Sequence, residues 1–523
     1  MTPEPDPPGA PSRGYSNYLL GVLVLVYVFN FLDRQIVSIL AERIKADIGA
    51  TDAQMGFLYG TAFAVFYALF GIPLGRLADM WDRKKLIAIG LTFWSMMTAL
   101  SGLAQNFTQL AIARIGVGVG EASATPAAFS MLSDSFPAAR RATALAIYSS
   151  GIYIGAGLGL GIGGVIVDQW DSAYAGAAAP FGLAGWQVAF MAVGLPGLLL
   201  AVWVSTLREP VRGLMDGIPA PVVERPFREF FREILSVVPP LTLVHLAVER
   251  YGVRAIGMNL VVAAAVSLMV VLLTALLGTP EQWAALAIGV YATFSWGQAL
   301  RRRDAPAFTL IFTTPALRWA ALGFAFLAFT GYGTGFWASP FLIRVHGATE
   351  AEVGLLFGSG SALGGWLGVT MGGVLADRFR AMSPNGRIWV GLLTAVTPLP
   401  IAFWMFTTES VTIVYLLGVP LSTFTAMWIG PAASTVQDLV LPRMRGAASG
   451  AYLLILTFIG LALGPYTIGR LSVAFDDLGL AILVSLGSNV IAAGFLLLAM
   501  RSLSRDEASR MERAQAAGEP AQA

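Results

Sequence analysis

Cysteine is absent from the 523 residues, and histidine occurs only at His245 and His346. The first absence excludes disulfides, thiol chemistry and cysteinyl zinc sites, and two histidines leave no basis for a histidine-built metal centre. Charge is scarce as well: Asp, Glu, Lys and Arg make up 12% of the chain, against about 25% in a soluble protein. A soluble fold could not cover its surface with so few charges. The 33 basic and 31 acidic residues leave a net charge of +2 with no basic domain, which excludes nucleic acid as a partner. There is no Gly-x-x-x-x-Gly-Lys-Ser/Thr phosphate loop and no evident Ser/His/Asp set, so the reading is not an enzyme and implies no cofactor. What the chain has in abundance is apolar surface, at 56% of residues and a mean hydropathy of +0.70. Its solvent is lipid, and the expected fold class is an all-α integral membrane protein.

Crossing a bilayer takes about 20 apolar residues. Runs of that kind fall at 18–41, 55–80, 86–104, 108–133, 142–167 and 186–206, and again at 316–343, 353–376, 387–407, 411–437, 446–470 and 478–500. Between the two series, 256–277 and 282–300 read as an extra transmembrane hairpin around Gly278-Thr279-Pro280-Glu281, although 282–300 is weakly hydrophobic enough to lie instead at the membrane surface. The domains expected are a disordered tail (1–16), a six-helix bundle (17–206), a linker with an amphipathic helix and the hairpin (207–315, with the hairpin at 256–300), a second six-helix bundle (316–500) and a second disordered tail (501–523). Most Lys and Arg fall on one side, including Arg83-Lys84-Lys85, Arg140-Arg141 and Arg301-Arg302-Arg303. That bias places both termini in the cytoplasm; the expected setting is the cell (inner) membrane, with the lipid bilayer as partner, and the expected state is a monomer.

The two series repeat each other. Gly56-Phe57-Leu58-Tyr59-Gly60 returns as Gly354-Leu355-Leu356-Phe357-Gly358, Leu77-Ala78-Asp79 as Leu375-Ala376-Asp377, Pro126-Ala127-Ala128 as Pro431-Ala432-Ala433, and Asp134 as Asp438. Paired six-helix bundles of this kind suit a carrier that opens a central site to one face at a time.

Gly75-Arg76-Leu77-Ala78-Asp79-Met80-Trp81-Asp82-Arg83-Lys84-Lys85 resembles the loop signature of the major facilitator superfamily, with Asp82 where that family usually has Gly. Asn30-Phe31-Leu32-Asp33-Arg34-Gln35, Arg114-Ile115-Gly116-Val117-Gly118-Val119-Gly120-Glu121-Ala122 and Gly331-Tyr332-Gly333 resemble the spinster-like transporters within it. The resemblance implies the major facilitator fold and proton-coupled export of a lysophospholipid or sphingoid-type solute. A drug or organic-anion carrier would use the same features, and an uncoupled lipid scramblase is a third reading.

Four charges fall inside spans, where they are expensive and usually functional: Asp33, Arg34, Arg114 and Glu121. At about 1.5 Å per residue, Asp33 and Glu121 reach similar depths, and Arg114 shares a helix face with Glu121. The expectation is a cluster in which Asp33 carries the proton, Glu121 is its partner, and Arg34 and Arg114 serve as counter-charges or bind an anionic substrate; a structural ion-pair network is the competing reading. Tyr332 is a candidate for the substrate pocket. Asp79 is expected to cap the helix beginning near Arg443-Met444-Arg445-Gly446 and so hold a cytoplasmic gate shut. Gly75, Arg83, Asp134, Arg140, Arg141 and Asp377 are grouped with that gate, although Arg83-Lys84-Lys85 also read as plain topogenic charge. Gly155, Gly159, Gly163 and Gly164 resemble the superfamily's antiporter motif with Leu160 in place of Pro, and equally suit close helix packing. His346 is placed in an outer loop without a relay role.

Overall fold

The computed structural model describes residues 11–175, 177–216 and 224–520, and no strand occurs among them. The first half runs through α1 (Arg13–Ile48), α2 (Asp52–Tyr59), α3 (Thr61–Met80), α4 (Arg83–Ser101), α5 (Phe107–Glu121), α6 (Ala124–Ser133), α7 (Ala138–Ala173) and α8 (Gly185–Ser205). The middle holds α9 (Pro226–Val237), α10 (Leu241–Val248), α11 (Val253–Leu277), α12 (Pro280–Arg303) and α13 (Ala305–Thr313). The second half opens with α14 (Pro315–His346), α15 (Glu350–Glu352), α16 (Gly358–Met382), α17 (Gly386–Val396), α18 (Pro398–Thr407) and α19 (Val411–Ala426). It closes with α20 (Ile429–Asp438), α21 (Arg445–Ile455), α22 (Gly464–Phe475), α23 (Leu478–Ser485), α24 (Gly487–Ala508) and α25 (Arg510–Ala516). Ten of these helices, some joined end to end, are long and apolar enough to cross a membrane, and up to twelve if two bent pairs each count as one span.

Local chemistry sets the helix starts. The Asn106 side chain accepts the Gln109 amide at 3.0 Å and the Asp82 side chain accepts the Lys85 amide at 3.1 Å, each satisfying a donor that a helix leaves open in its first turn. Thr51 forms a reciprocal capping box with Gln54 at the start of α2, and Thr349 does the same with Glu352 at the start of α15. The sequence repeat therefore extends to the caps.

Contacts sort the chain into two compact units. One holds the chain up to Arg43, Leu69–Leu235 and Thr349–Gly358; the other holds Ile44–Ala68, Ser236–Ala348 and from Ser359 onward. In the first unit α7 lies against α1, and glycine makes this possible: a Cβ at Gly155 would fall 2.3 Å from the Val28 carbonyl oxygen, and one at Gly159 2.8 Å from that of Leu32. The glycine run is thus a packing seam. In the second unit α12 is a true 24-residue helix with Gln282, Trp283, Tyr291 and Trp296 buried, while the adjacent α11 exposes nearly its whole circumference. The polar pins between them are the Asn259 carbonyl oxygen accepting from the Ser295 hydroxyl at 2.8 Å and the Asn259 amide donating to Gln298.

Both ends depart from the expected tails. Helix begins at Arg13, and residues 1–10 lie outside the described part. At the other end the chain from 501 to 516 runs through α24 and α25 instead of being disordered, and residues 521–523 lie outside the described part. Asp506 accepts the Ala316 amide at 2.9 Å, Arg380 pairs with Glu507 at 2.5 Å, and Arg513 donates to the Thr314 hydroxyl at 2.7 Å. A polar composition reads as a tail until its charges find partners on the rest of the fold. His346 is the last residue of α14 rather than a loop residue, edge-on to Phe341.

Candidate functional site

The first unit brings Asp33, Arg34, Arg114 and Glu121 together on α1 and α5. Gly120 lets α5 close on α4, since a Cβ there would sit 2.9 Å from the Trp94 amide nitrogen. That approach buries Arg114 and Glu121 to 1% exposure or less, with Asp33 opposite them at 1%.

Within the cluster each cation takes a definite partner. Arg34, beside Asp33 in sequence, turns away from it because successive helical side chains point about 100° apart. Its Nε donates to Glu121 Oε2 at 2.7 Å, and its guanidinium lies 4.7 Å from the Phe31 ring centre. Arg114 Nη1 donates at 3.1 Å to the main-chain carbonyl of Asp33, not to its carboxylate. Both Asp33 carboxylate oxygens are buried without a hydrogen bond, and no described cation pairs with them. Their polar neighbours are Thr98 and Trp94 on α4, with Glu121 and Arg114 acting on them through space. Sequence reasoning missed Asn30, Trp94 and Thr98; the available signal was their helical spacing, Asn30 one turn before Asp33 and Trp94 one turn before Thr98.

A second charged network lies where α3 meets α4. Arg83 is fully buried. Its Nε donates to Glu209 Oε1 at 2.6 Å, Nη1 to the Ser130 hydroxyl at 2.7 Å and to the Asp134 carboxylate, and Nη2 to the Pro210 carbonyl at 2.6 Å. Asp134 also accepts the Gly213 amide at 2.9 Å. Arg140 is exposed, and Arg141 is half-buried. Asp79 is exposed at the end of α3, where Arg212 donates to the carbonyls of Ala78, Asp79 and Trp81, a cation on the negative end of a helix. Burial, and then the neighbouring Arg83 cation, push the Arg212 guanidinium below its ordinary value. Gly75 faces Pro126 at ordinary contact distance. In the second unit Asp377 is exposed, while Arg387 pairs with Asp438, repeating the Arg83–Asp134 pair. Tyr332 is half-buried on α14 near Tyr452 in that unit.

Two further ion pairs join residues far apart in the chain. Arg43 grips Glu350 through Nε–Oε1 at 2.6 Å and Nη2–Oε2 at 3.2 Å. Arg344 grips Asp52 through Nη1–Oδ2 at 2.7 Å and Nη2–Oδ1 at 2.9 Å, with the Ser472 hydroxyl donating to the same carboxylate at 2.8 Å.

Residues 23–465 match the family described as Major Facilitator Superfamily. The chain is similar to an MFS-type efflux pump of Mycolicibacterium smegmatis, 28% identical with 92% of this chain and 88% of that protein covered. It is also similar to protein spinster homolog 1 of Rattus norvegicus, 25% identical over 88% of this chain and 74% of that one. Among solved structures, a bacterial homologue of the human lysosomal transporter Spinster, in an inward-facing and unoccupied conformation, superposes with a TM-score of 0.71. The two are 27% identical, over 95% of this chain and 99% of that one.

Proposed function

Since this chain belongs to the major facilitator superfamily, we propose that it is a proton-coupled carrier in the inner membrane, with both termini cytoplasmic, exporting an amphiphile with an anionic or zwitterionic head. The observation that carries the reading is the Asp33 carboxylate, buried without an ion pair beside the Arg34–Glu121 pair. An ionised carboxylate left unpaired in that position costs several kcal/mol. A group that must keep changing its proton suits such a site better than one that locks helices. Glu121 holds Arg34 while it is ionised. When Glu121 takes the proton, Arg34 is released to bind the substrate's anion, and the apolar and aromatic walls of the half-bundles accept a hydrocarbon tail. The two bundles then expose the site alternately, and Asp79 with the Arg83–Asp134–Glu209 network forms part of the cytoplasmic gate. The monomer is the transporting unit.

Purified protein in liposomes with an imposed pH gradient tests this. The expected result is accumulation of a lysophospholipid that collapses with the gradient; accumulation indifferent to the gradient overturns the coupling. The likeness to an efflux pump supports a second reading, a multidrug or organic-anion carrier using the same cluster. Arg34→Ala separates the two. For a lipid-like substrate its affinity for an anionic-headed amphiphile falls roughly tenfold or more, the size of one charge-assisted hydrogen bond, while a neutral analogue with the same tail is held nearly as before. Lys at 34 restores part of the loss, because it keeps the charge without the planar fork. Equal losses for both ligands favour the drug-carrier reading.

A further inference from the structure

The buried side-chain atoms around the charge cluster that make no hydrogen bond include Asn30 Nδ2 and Oδ1, Asp33 Oδ1 and Oδ2, Trp94 Nε1, Thr98 Oγ1 and Glu121 Oε1. All five residues are at 1% exposure or less. They converge from three helices. Thr98 and Trp94, one turn apart on α4, face the Asp33 carboxylate without closing to hydrogen-bond geometry, and Asn30, one turn before Asp33 on α1, faces Glu121 on α5. Buried polar groups are almost always satisfied, by protein or by ordered water. The mixture of groups says which ligand these take. The carboxylates, the Asn30 carbonyl and the Thr98 oxygen accept, whereas the Trp94 N–H and the Asn30 NH₂ can only donate. A metal cation would face the two donors and the Arg34 and Arg114 guanidiniums, and an anion would face the two carboxylates; water serves both kinds.

We propose that Asn30, Trp94 and Thr98 hold a short chain of ordered water that carries the proton between Asp33 and Glu121. The inference rests on the coupling reading above and adds its route. The protonated Asp33 carboxyl gives its proton to the adjoining water, and that water, or the next, gives one to Glu121. Glu121 becomes neutral, Asp33 becomes a carboxylate facing Arg114 through space, and the Arg34 Nε loses its ionic acceptor. The proton is conserved throughout and no other species is consumed. Trp94, Thr98 and Asn30 are positioning residues here, since they act on the water and not on the substrate.

Thr98→Val keeps the shape and removes the hydroxyl; Thr98→Ser keeps the hydroxyl; Trp94→Phe removes the indole donor. In liposomes with a fluorescent lysophospholipid, the ratio of gradient-driven uptake to exchange at equal pH should fall about tenfold in Thr98→Val and in Trp94→Phe. The pH at which uptake is half-maximal should shift, and Thr98→Ser should return both readouts to near the wild-type values. In parallel, infrared difference spectra of the purified protein between acid and alkaline pH should show a water band that disappears in Thr98→Val and returns in Thr98→Ser. A Thr98→Val protein with the wild-type ratio, pH profile and water band overturns the proposal. So does a loss of coupling that Ser fails to restore. If the wild type moves no protons at all, the coupling reading falls instead, and the water band, which needs no transport, still decides whether the site holds water.

Discussion

Replacing Asp33 with Asn abolishes gradient-driven accumulation, lowering it by roughly 100-fold or more, the scale on which a positioned proton carrier acts. The protein still folds and inserts. Asn is isosteric and neutral, and in this structure the native carboxylate makes no ion pair or hydrogen bond whose loss would loosen the bundle. Exchange of labelled for unlabelled solute at equal pH, which needs no net proton movement, therefore survives. Uptake and exchange measured side by side in liposomes check this. If both collapse together with a normal elution profile, Asp33 serves binding or the conformational change rather than the proton. If accumulation is undiminished, Asp33 is not the carrier, and Glu121, already committed to Arg34, becomes the candidate.

The second large effect is on stability. Arg83→Ala leaves Asp134 and Glu209 without the guanidinium that holds both, and removing one partner from a buried network destabilises by about 3–5 kcal/mol. The carbonyl of Pro210 and the hydroxyl of Ser130 lose their donor as well. The thermal midpoint of the detergent-purified protein should drop by roughly 2–4 °C per kcal/mol lost. Arg83→Lys should recover only a fraction, because one ammonium cannot reach four acceptors spread around a planar fork. A midpoint for Arg83→Ala indistinguishable from wild type would return Arg83 to the role of a topogenic charge.

Much of this was legible in the sequence, for identifiable reasons. Helix positions follow from apolar runs, since lipid leaves the backbone no alternative to internal hydrogen bonding. The cluster of Asp33, Arg34, Arg114 and Glu121 was legible because charge inside a span is rare enough to stand out. Its pairing was not. Adjacency of Asp33 and Arg34 suggests contact, but a helix sends neighbours apart, and only the fold shows which helix each one meets. Uncharged members of the same site, Asn30, Trp94 and Thr98, carry no such flag among 13 tryptophans and many threonines. The burial of Arg83 was not legible, because a basic run after a span usually means topology, and nothing local announces that Glu209 will arrive from a connection more than a hundred residues later. The helical end after Arg501 was hidden for the same reason.

The Arg43–Glu350 and Arg344–Asp52 ion pairs bear on the protein's ancestry. Asp52 and Glu350 are the first residues of α2 and α15, each behind a threonine cap, in the matching stretches Thr51-Asp52-Ala53-Gln54-Met55-Gly56 and Thr349-Glu350-Ala351-Glu352-Val353-Gly354. Arg43 and Arg344 sit near the ends of α1 and α14, the opening long helix of each half. Each carboxylate is held by the arginine of the other half, never by its own. Such reciprocity, in which one copy's residue meets its counterpart's mate and the favour is returned, is the signature of a two-fold dimer. The hypothesis that follows is that a homodimer of six-helix chains made both contacts with a single pair of residues before its genes fused. Fusion then let the two sides drift, Asp to Glu on one of them, with Lys45 recruited to Asp52 and Asp171 to Arg43. A lock inherited this way should accept reversal: Asp52→Arg combined with Arg344→Asp should regain thermal stability that each single change loses, and a double variant no better than the worse single one would argue that the resemblance between the two sides is fortuitous.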